Sequence, residues 1–184
     1  MHIISQKIRF FNFAFLKNYD KMIKKGDFMK NTTLIYIEKE NKYLMLHRVK
    51  KENDISKDKW IGIGGKFLEN ESPEECALRE TLEETGLTLN SLEYRGIVTF
   101  ICDKCEGELM HLFVSKDFSG QIKECDEGVL KWVEKEKIIT LPIWQGDKIF
   151  LKLIDENAPF FSLKLEYKND TLINAVLNNK QLDI

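Results

Sequence analysis

The stretch GGKFLENESPEECALRETLEETGL, Gly64 to Leu87, carries carboxylates at Glu69, Glu71, Glu74, Glu75, Glu80, Glu83 and Glu84, with Arg79 as its one arginine. Such crowding is repulsive unless water or a cation relieves it. The segment also marks both ends of a helix. Ser72 suits the N-cap, Pro73 the first helical position, and Glu75 completes a capping box. Gly86 falls where a left-handed C-terminal cap is expected. The spacing therefore predicts a helix over Pro73–Thr85.

Within that helix, Ala77, Thr81 and either Leu78 or Leu82 can share a core-facing stripe. Glu80, Glu83 and Glu84 stand at i, i+3 and i+4, so their carboxylates converge on one face near the end where the helix dipole disfavours anions. A solvated acidic face is the bland alternative. Against it, Arg79 and Lys66 are the only cations nearby in sequence. A hard divalent cation accounts for the arrangement better, because Mg²⁺ takes carboxylate oxygens while keeping waters that meet a substrate's phosphates. The glycines ahead of the helix let backbone groups approach such an ion closely.

Outward from the helix, TTLIYIEKENKYLMLHRV (32–49) reads as two strands around a turn. LEYRGIVTFICD (92–103) and ELMHLFVSKDF (108–118) read as two more. GVLKWVEKEKI (128–138) is a strand leading to a helix or turn. LPIWQGDKIFLKLIDENA (141–158) has helical spacing, and FFSLKLEYKNDTLINAVL (160–177) folds as a last hairpin about its KND. One mixed α/β domain over residues 29–184 is the economical architecture.

The chain has 184 residues, 43% hydrophobic and 32% charged, with a net charge of −2. That composition is ordinary for a globular protein and excludes a global basic field for nucleic acid. No polymer or membrane partner is expected, and no oligomeric state beyond monomer or homodimer is indicated. The cysteines at 76, 102, 105 and 125 lack a disulfide-framework spacing, so free thiols in a reducing cytoplasm are the simplest expectation. The CxxC of Cys102 and Cys105 lacks the second pair that a structural zinc site requires. Residues 1–28 are basic and aromatic without periodicity. KKGDFM (24–29) matches the in-frame translation of a purine-rich ribosome-binding site, so these residues are expected to be a disordered extension or to lie upstream of a true start at Met29.

Gly65, then Glu71, then Arg79-Glu80-Thr81-Leu82-Glu83-Glu84-Thr85-Gly86-Leu87 resembles the Nudix box, G-x5-E-x7-R-E-U-x-E-E-x-G-U. Thr81 stands where a bulky aliphatic residue is usual, and every charged position is kept. DKWIGIGGK before the box, DEGVLKWV after it, and IWQGDKIF with PFFSLKLEYKNDTL resemble the MutT-type branch, which hydrolyses oxidised purine nucleoside triphosphates. The resemblance implies a Nudix-type α/β/α sandwich with a central mixed β-sheet and a catalytic loop-helix-loop.

It also implies roles. Gly64 would offer its carbonyl to the metal, and Glu80, Glu83 and Glu84 their carboxylates, with Glu127 completing the site or helping to activate water. Mg²⁺ is the implied ion and Mn²⁺ the alternative. Glu71 would support the loop-helix geometry through Arg79, with Gly65 and Gly86 as backbone supports. Lys66 and Arg48 suit phosphates, and Trp144 and Asp147 match positions that read a base, with Phe100 and Asp126 as further candidates. Trp144 as core packing and Asp147 as a helix cap are the plainer alternatives. The implied reaction yields a nucleoside monophosphate and pyrophosphate, with the general base open among Glu80, Glu83 and Glu127. Ile61 where relatives carry Asn, and one acid in QGD where some carry two, keep ADP-ribose or another nucleoside diphosphate derivative as an alternative substrate. A nucleotide-sensing module without turnover is the alternative outside enzymology.

Overall fold

The computed structural model describes residues 29–50 and 54–184. The expectations for residues 1–28 lie outside the described residues. The first hairpin forms as predicted, from β1 (Lys30–Lys39) and β2 (Lys42–His47), with the turn between them placing Glu40 and Asn41 at positive φ. A two-residue β3 (Trp60–Ile61) follows, then the helix α1 (Pro73–Thr85). Its ends obey the local signals. The Ser72 side chain accepts from the Glu75 backbone N–H, the Glu75 side chain accepts from the Ser72 N–H, and Gly86 closes the helix at φ 77°.

The remaining strands are β4 (Leu87–Leu89), β5 (Glu93–Cys102), β6 (Glu108–Ser115), β7 (Phe118–Gly120), β8 (Val129–Glu134), β9 (Phe161–Lys168), β10 (Thr171–Leu177) and β11 (Lys180–Gln181). Two further helices, α2 (Lys135–Ile138) and α3 (Gln145–Asp155), lie between β8 and β9. Nine strands form a mixed sheet ordered β11-β10-β9-β5-β6-β1-β2-β3, with β8 also paired to β2. The β1–β6 and β5–β9 pairs are parallel and the others antiparallel. β4 and β7 make a separate two-stranded sheet.

β1 shows why both faces of the large sheet are covered. Its run from Thr32 to Ile37 is buried throughout, as in a strand packed on both sides. Leu34 and Tyr36 point to a core shared with Phe150, Leu151 and Ile154 of α3. Ile35 and Ile37 point to the opposite core, with Ala77 of α1 and Phe113. The alternation of the strand thus sets one helix on each face, giving an α/β/α sandwich.

Two details depart from the sequence reading. Leu78 and Leu82 are exposed, at 43% and 51%. Ala77 and Thr81 are buried as expected, but Cys76, Glu84 and Thr85 complete the stripe in place of a leucine. The helix thus turns a partly polar face inward, with Glu84 of its C-terminal half lining a cavity. The second departure concerns Cys102 and Cys105. They are joined in a disulfide at the β5–β6 turn, with Cα atoms 5.5 Å apart, rather than being free thiols. The turn brings residues three apart into bonding range, which spacing in sequence does not reveal. Cys76 and Cys125 are free and buried.

Candidate active site

The glycine loop before α1 is pinned to β1. Ile63 exchanges backbone hydrogen bonds with Ile35, and the Thr33 N–H donates to the Gly65 carbonyl at 2.8 Å. Gly64 has φ 149°, and a Cβ there would lie 2.1 Å from the Thr33 carbonyl oxygen, so only glycine fits. At Gly65 a Cβ would lie 2.4 Å from the Glu80 carboxylate. The loop is therefore bare where the helix presents its acids.

Arg79 ties loop to helix. Its Nε donates to Glu71 Oε1 at 2.7 Å and its Nη2 to Glu71 Oε2 at 2.8 Å. Nη2 also donates to the Lys66 carbonyl at 3.0 Å, and Nη1 reaches Glu80 at 2.8 Å and Glu83 at 3.1 Å. Arg79 holds the Glu71 carboxyl down at about 2.

Beside this clamp lies a cavity of about 720 Å³. Gly64, Gly65, Lys66, Glu80, Glu84, Arg48 and Glu127 form one part of its wall. Glu84 is 8% exposed and accepts from the Gly64 N–H at 3.1 Å. Burial, above all, pushes its carboxyl up to about 7, and the fields of Glu127 and Glu80 add to the shift. Arg48 is ion-paired with Glu127 and donates through Nε to Asp54 Oδ2 at 2.6 Å. Both arginines thus already hold carboxylates.

Phe100, Met110, Trp144, Asp147 and Ile61 line another part of the same cavity. Trp144 is set edge-on to Phe100 and Tyr167, at centroid distances of 5.6 and 5.0 Å. Its Nε1 donates to Ser56 Oγ at 3.1 Å, and the Lys59 ammonium lies 4.5 Å from the ring centre. Asp147 sits in the first turn of α3 but supplies no side-chain cap. It is 6% exposed, and burial pushes its carboxyl up to about 8, with the Lys59 charge opposing. A hydrogen-bonded chain links the two parts: Glu127 to Arg48, Arg48 to Asp54, and Trp144 to Ser56, whose backbone N–H donates to Asp54 Oδ1 at 2.9 Å.

The structure therefore brings together Gly64, Gly65, Lys66, Arg48, Glu80, Glu84, Glu127, Phe100, Trp144 and Asp147. It places Glu83 outside the cavity lining, on Arg79, with its side chain 60% exposed. Asp126 is exposed and also outside the lining. Trp60 stacks on His47 and Trp132 on Phe118, as packing residues. Sequence reasoning missed Asp54, Ser56, Thr32 and Glu108. Glu108 had one available signal, a charged residue opening a mostly apolar strand.

Among the described residues, no three His, Cys, Asp or Glu side chains are gathered as a set that could hold an ion. Glu83, predicted to converge with its neighbours, is drawn off by Arg79, and Glu127 by Arg48. The donor chemistry nonetheless fits a hard divalent cation. The carboxylates of Glu80, Glu84 and Glu127 line one cavity, and the absence of a side chain at Gly65 lets the Glu80 carboxylate pack against the loop there.

Residues 28–154 match the profile described as the NUDIX domain. The oxidized purine nucleoside triphosphate hydrolase of Danio rerio is 31% identical over 130 residues, covering 70% of this chain and 83% of that one. The Nudix hydrolase YvcI of Bacillus subtilis (strain 168) is 30% identical over 125 residues, covering 65% of this chain and 75% of that one. The crystal structure of the MutT protein of Bacillus halodurans superposes with a TM-score of 0.72 at 26% identity, covering 83% of this chain and 99% of that one. With its box residues disposed along a pinned glycine loop and α1, the chain belongs to the Nudix hydrolases, enzymes that act on phosphoric anhydrides.

Proposed function

We propose that this enzyme hydrolyses an oxidised purine nucleoside triphosphate of the 8-oxo-dGTP type to the monophosphate and pyrophosphate. The observation that carries this reading is the single cavity with carboxylates at Glu80, Glu84 and Glu127 and an aromatic wall at Phe100 and Trp144. Acidic groups beside a phosphate chain require a cation, and an aromatic wall with one carboxyl suits a flat heterocycle. The similarity to the Danio rerio hydrolase supports the same substrate class.

Nudix hydrolases use divalent metal ions, and Mg²⁺ is the ion proposed here, with Mn²⁺ as the alternative. Glu80, Glu83, Glu84 and Glu127, with the Gly64 carbonyl, would hold it. Bound there, it would offset the charge of the phosphates. The other tasks fall to the chain's own residues. Lys66 lies against the phosphates and stabilises charge on the departing pyrophosphate. Arg48 divides its charge between Glu127 and Asp54, which positions Glu127 as well as meeting phosphate. Trp144 stacks on the base, held by Ser56. Asp147, protonated near neutral pH by its burial, both donates to and accepts from a base edge. Ile61, which cannot hydrogen-bond, leaves that recognition to Asp147.

Formation of the nucleoside monophosphate from 8-oxo-dGTP, dGTP and ADP-ribose, each with and without Mg²⁺, tests the proposal, with pyrophosphate as the co-product from the two triphosphates and ribose 5-phosphate from ADP-ribose. Mg²⁺-dependent turnover with the highest kcat/KM on 8-oxo-dGTP is expected. Preferred cleavage of ADP-ribose would overturn the substrate assignment, and turnover undiminished by EDTA would overturn the metal assignment.

A further inference from the structure

Glu108 is a carboxylate on the cavity wall to which neither the box nor the base-reading residues give a task. It opens β6, and Met110, two residues on and also on the wall, shows that this face of the strand looks into the cavity. Across the ladder Glu108 is the partner of Phe100, on the aromatic part of the wall. On its other side, the Thr32 hydroxyl donates to Glu108 Oε2 at 3.4 Å, and the Thr32 backbone pairs with that of Lys66 in an isolated antiparallel β-bridge. Among the described residues the Thr32 hydroxyl is its one hydrogen-bond donor, and no cation is ion-paired with it. Burial raises its pKa, while Thr32 and the charges of Lys66, Lys30 and Arg48 pull the other way.

A half-buried carboxylate with one long hydrogen bond retains most of its acceptor capacity, and that capacity faces the cavity. The chemistry of the partner follows from its place. A phosphate would be repelled. The aromatic wall and Asp147 serve the base. Between base and phosphates a nucleotide carries its sugar, whose hydroxyls are the neutral donors that a carboxylate accepts.

We infer that Glu108 is a specificity-determining residue that accepts a hydrogen bond from a sugar hydroxyl of the bound nucleotide. The inference rests on the nucleotide reading above. It makes the enzyme sensitive to the sugar, independently of which purine is preferred.

The test is a cycle in which carboxylate and hydroxyl are removed separately and together. The kcat and KM of the wild type, Glu108→Gln and Glu108→Ala are measured on purine nucleoside triphosphates in ribo, 2′-deoxy, 3′-deoxy and 2′,3′-dideoxy forms. For the wild type, loss of the hydroxyl that is read lowers kcat/KM by roughly ten- to a hundredfold, the usual worth of a hydrogen bond to a charged group. Glu108→Ala falls equally on the hydroxyl-bearing form and no further on the dideoxy form. Glu108→Gln, whose amide oxygen still accepts, lies between. Equal losses by Glu108→Ala on all sugars would make Glu108 structural and overturn the inference. So would a wild type indifferent to both hydroxyls, a result that needs no variant to fold. Absence of turnover on every nucleoside triphosphate would sink the nucleotide reading itself, and the two failures are thereby distinguishable.

Discussion

Arg79 grips both oxygens of Glu71, eight residues earlier, through Nε at 2.7 Å and Nη2 at 2.8 Å. The pair closes the loop between Lys66 and α1, because the same guanidinium reaches back to the Lys66 carbonyl. Two parallel charge-assisted bonds need the planar fork of arginine, which lysine lacks. Arg79→Lys is therefore expected to lower stability by about 2 kcal/mol and to loosen Glu80, which Nη1 also holds. Urea denaturation of the variant, with circular dichroism to confirm the fold, measures it. An unchanged midpoint would show that the clamp is dispensable.

The same pair governs the acid limb. The Glu71 carboxyl titrates at about 2 in the folded chain against an ordinary 4.5. A depressed folded pKa contributes stability above the ordinary value, and that contribution is lost as pH falls from 4.5 through about 2. Glu71→Gln should show a shallower fall of stability across that window than the wild type. Matching acid profiles would contradict the assignment.

Glu83 and Glu84 are neighbours in sequence with opposite surroundings. Glu84 is buried against the Gly64 N–H, while Glu83 leans out on Arg79. If Glu83 only formed an exposed i, i+4 pair, its loss would change stability by roughly 0.5 kcal/mol and leave activity intact. The proposed metal role requires instead that Glu83→Gln and Glu84→Gln each lower kcat/KM by at least about a hundredfold, the upper range for loss of a second-sphere partner. Melting temperatures should hold for Glu83→Gln and rise for Glu84→Gln, which removes a buried charge. Near-normal hydrolysis by folded Glu83→Gln would remove that residue from the ion's ligands.

Asp147 links the site to pH. Its carboxyl titrates at about 8 when folded and near 3.8 otherwise, so between those values the folded chain keeps a proton that the unfolded chain has released. Stability should accordingly fall as pH rises from 3.8 through about 8 and then level off. Lys59, Tyr36 and Tyr167 are the ionisable groups whose fields couple to it. Asp147→Asn, an uncharged mimic of the protonated acid, should abolish this slope. Thermal melts of both proteins from pH 5 to 9 decide it, and parallel curves would show that Asp147 is ionised when folded.

What could be read from the sequence was what neighbouring residues determine. Ser72, Glu75 and Gly86 cap α1 through contacts within a few residues, so its ends were legible to the residue. The hairpins at residues 32–49 and 160–177 were legible from alternation and turn residues. The buried stripe of α1 was legible at Ala77 and Thr81 but not beyond them, since Cys76, Glu84 and Thr85, and neither leucine, pack inward with them. The cavity wall was only partly legible. Thr32 and Glu108 meet across 76 residues, and Trp144 and Ser56 across 88, pairings that only the tertiary fold creates. The divergence of Glu83 from Glu84 was equally hidden, because helical spacing gives direction but not which arginine pulls.

Thr81 occupies the box position where a bulky aliphatic residue is usual, and the structure gives that departure a consequence. It is fully buried on the inner face of α1. Its hydroxyl has no partner among the described residues, whereas the Thr85 hydroxyl donates to the Thr81 carbonyl and accepts from the Leu87 N–H. A buried hydroxyl left unpaired forfeits its hydration with no return, an effect of about 1 kcal/mol or more. Valine replaces that hydroxyl with a methyl of similar size, so the helix need not move. Thr81→Val is expected to stabilise the protein by about 1 kcal/mol, a rise in melting temperature of about 2–4 °C for a chain of this length. Activity should be retained, since Thr81 is not on the cavity wall. Thr81→Ala separates the causes: it also removes the hydroxyl but leaves a void, and should gain less than valine or lose stability. A lower melting temperature for Thr81→Val would mean that the hydroxyl is bonded in solution and that the polar face of α1 is held from within.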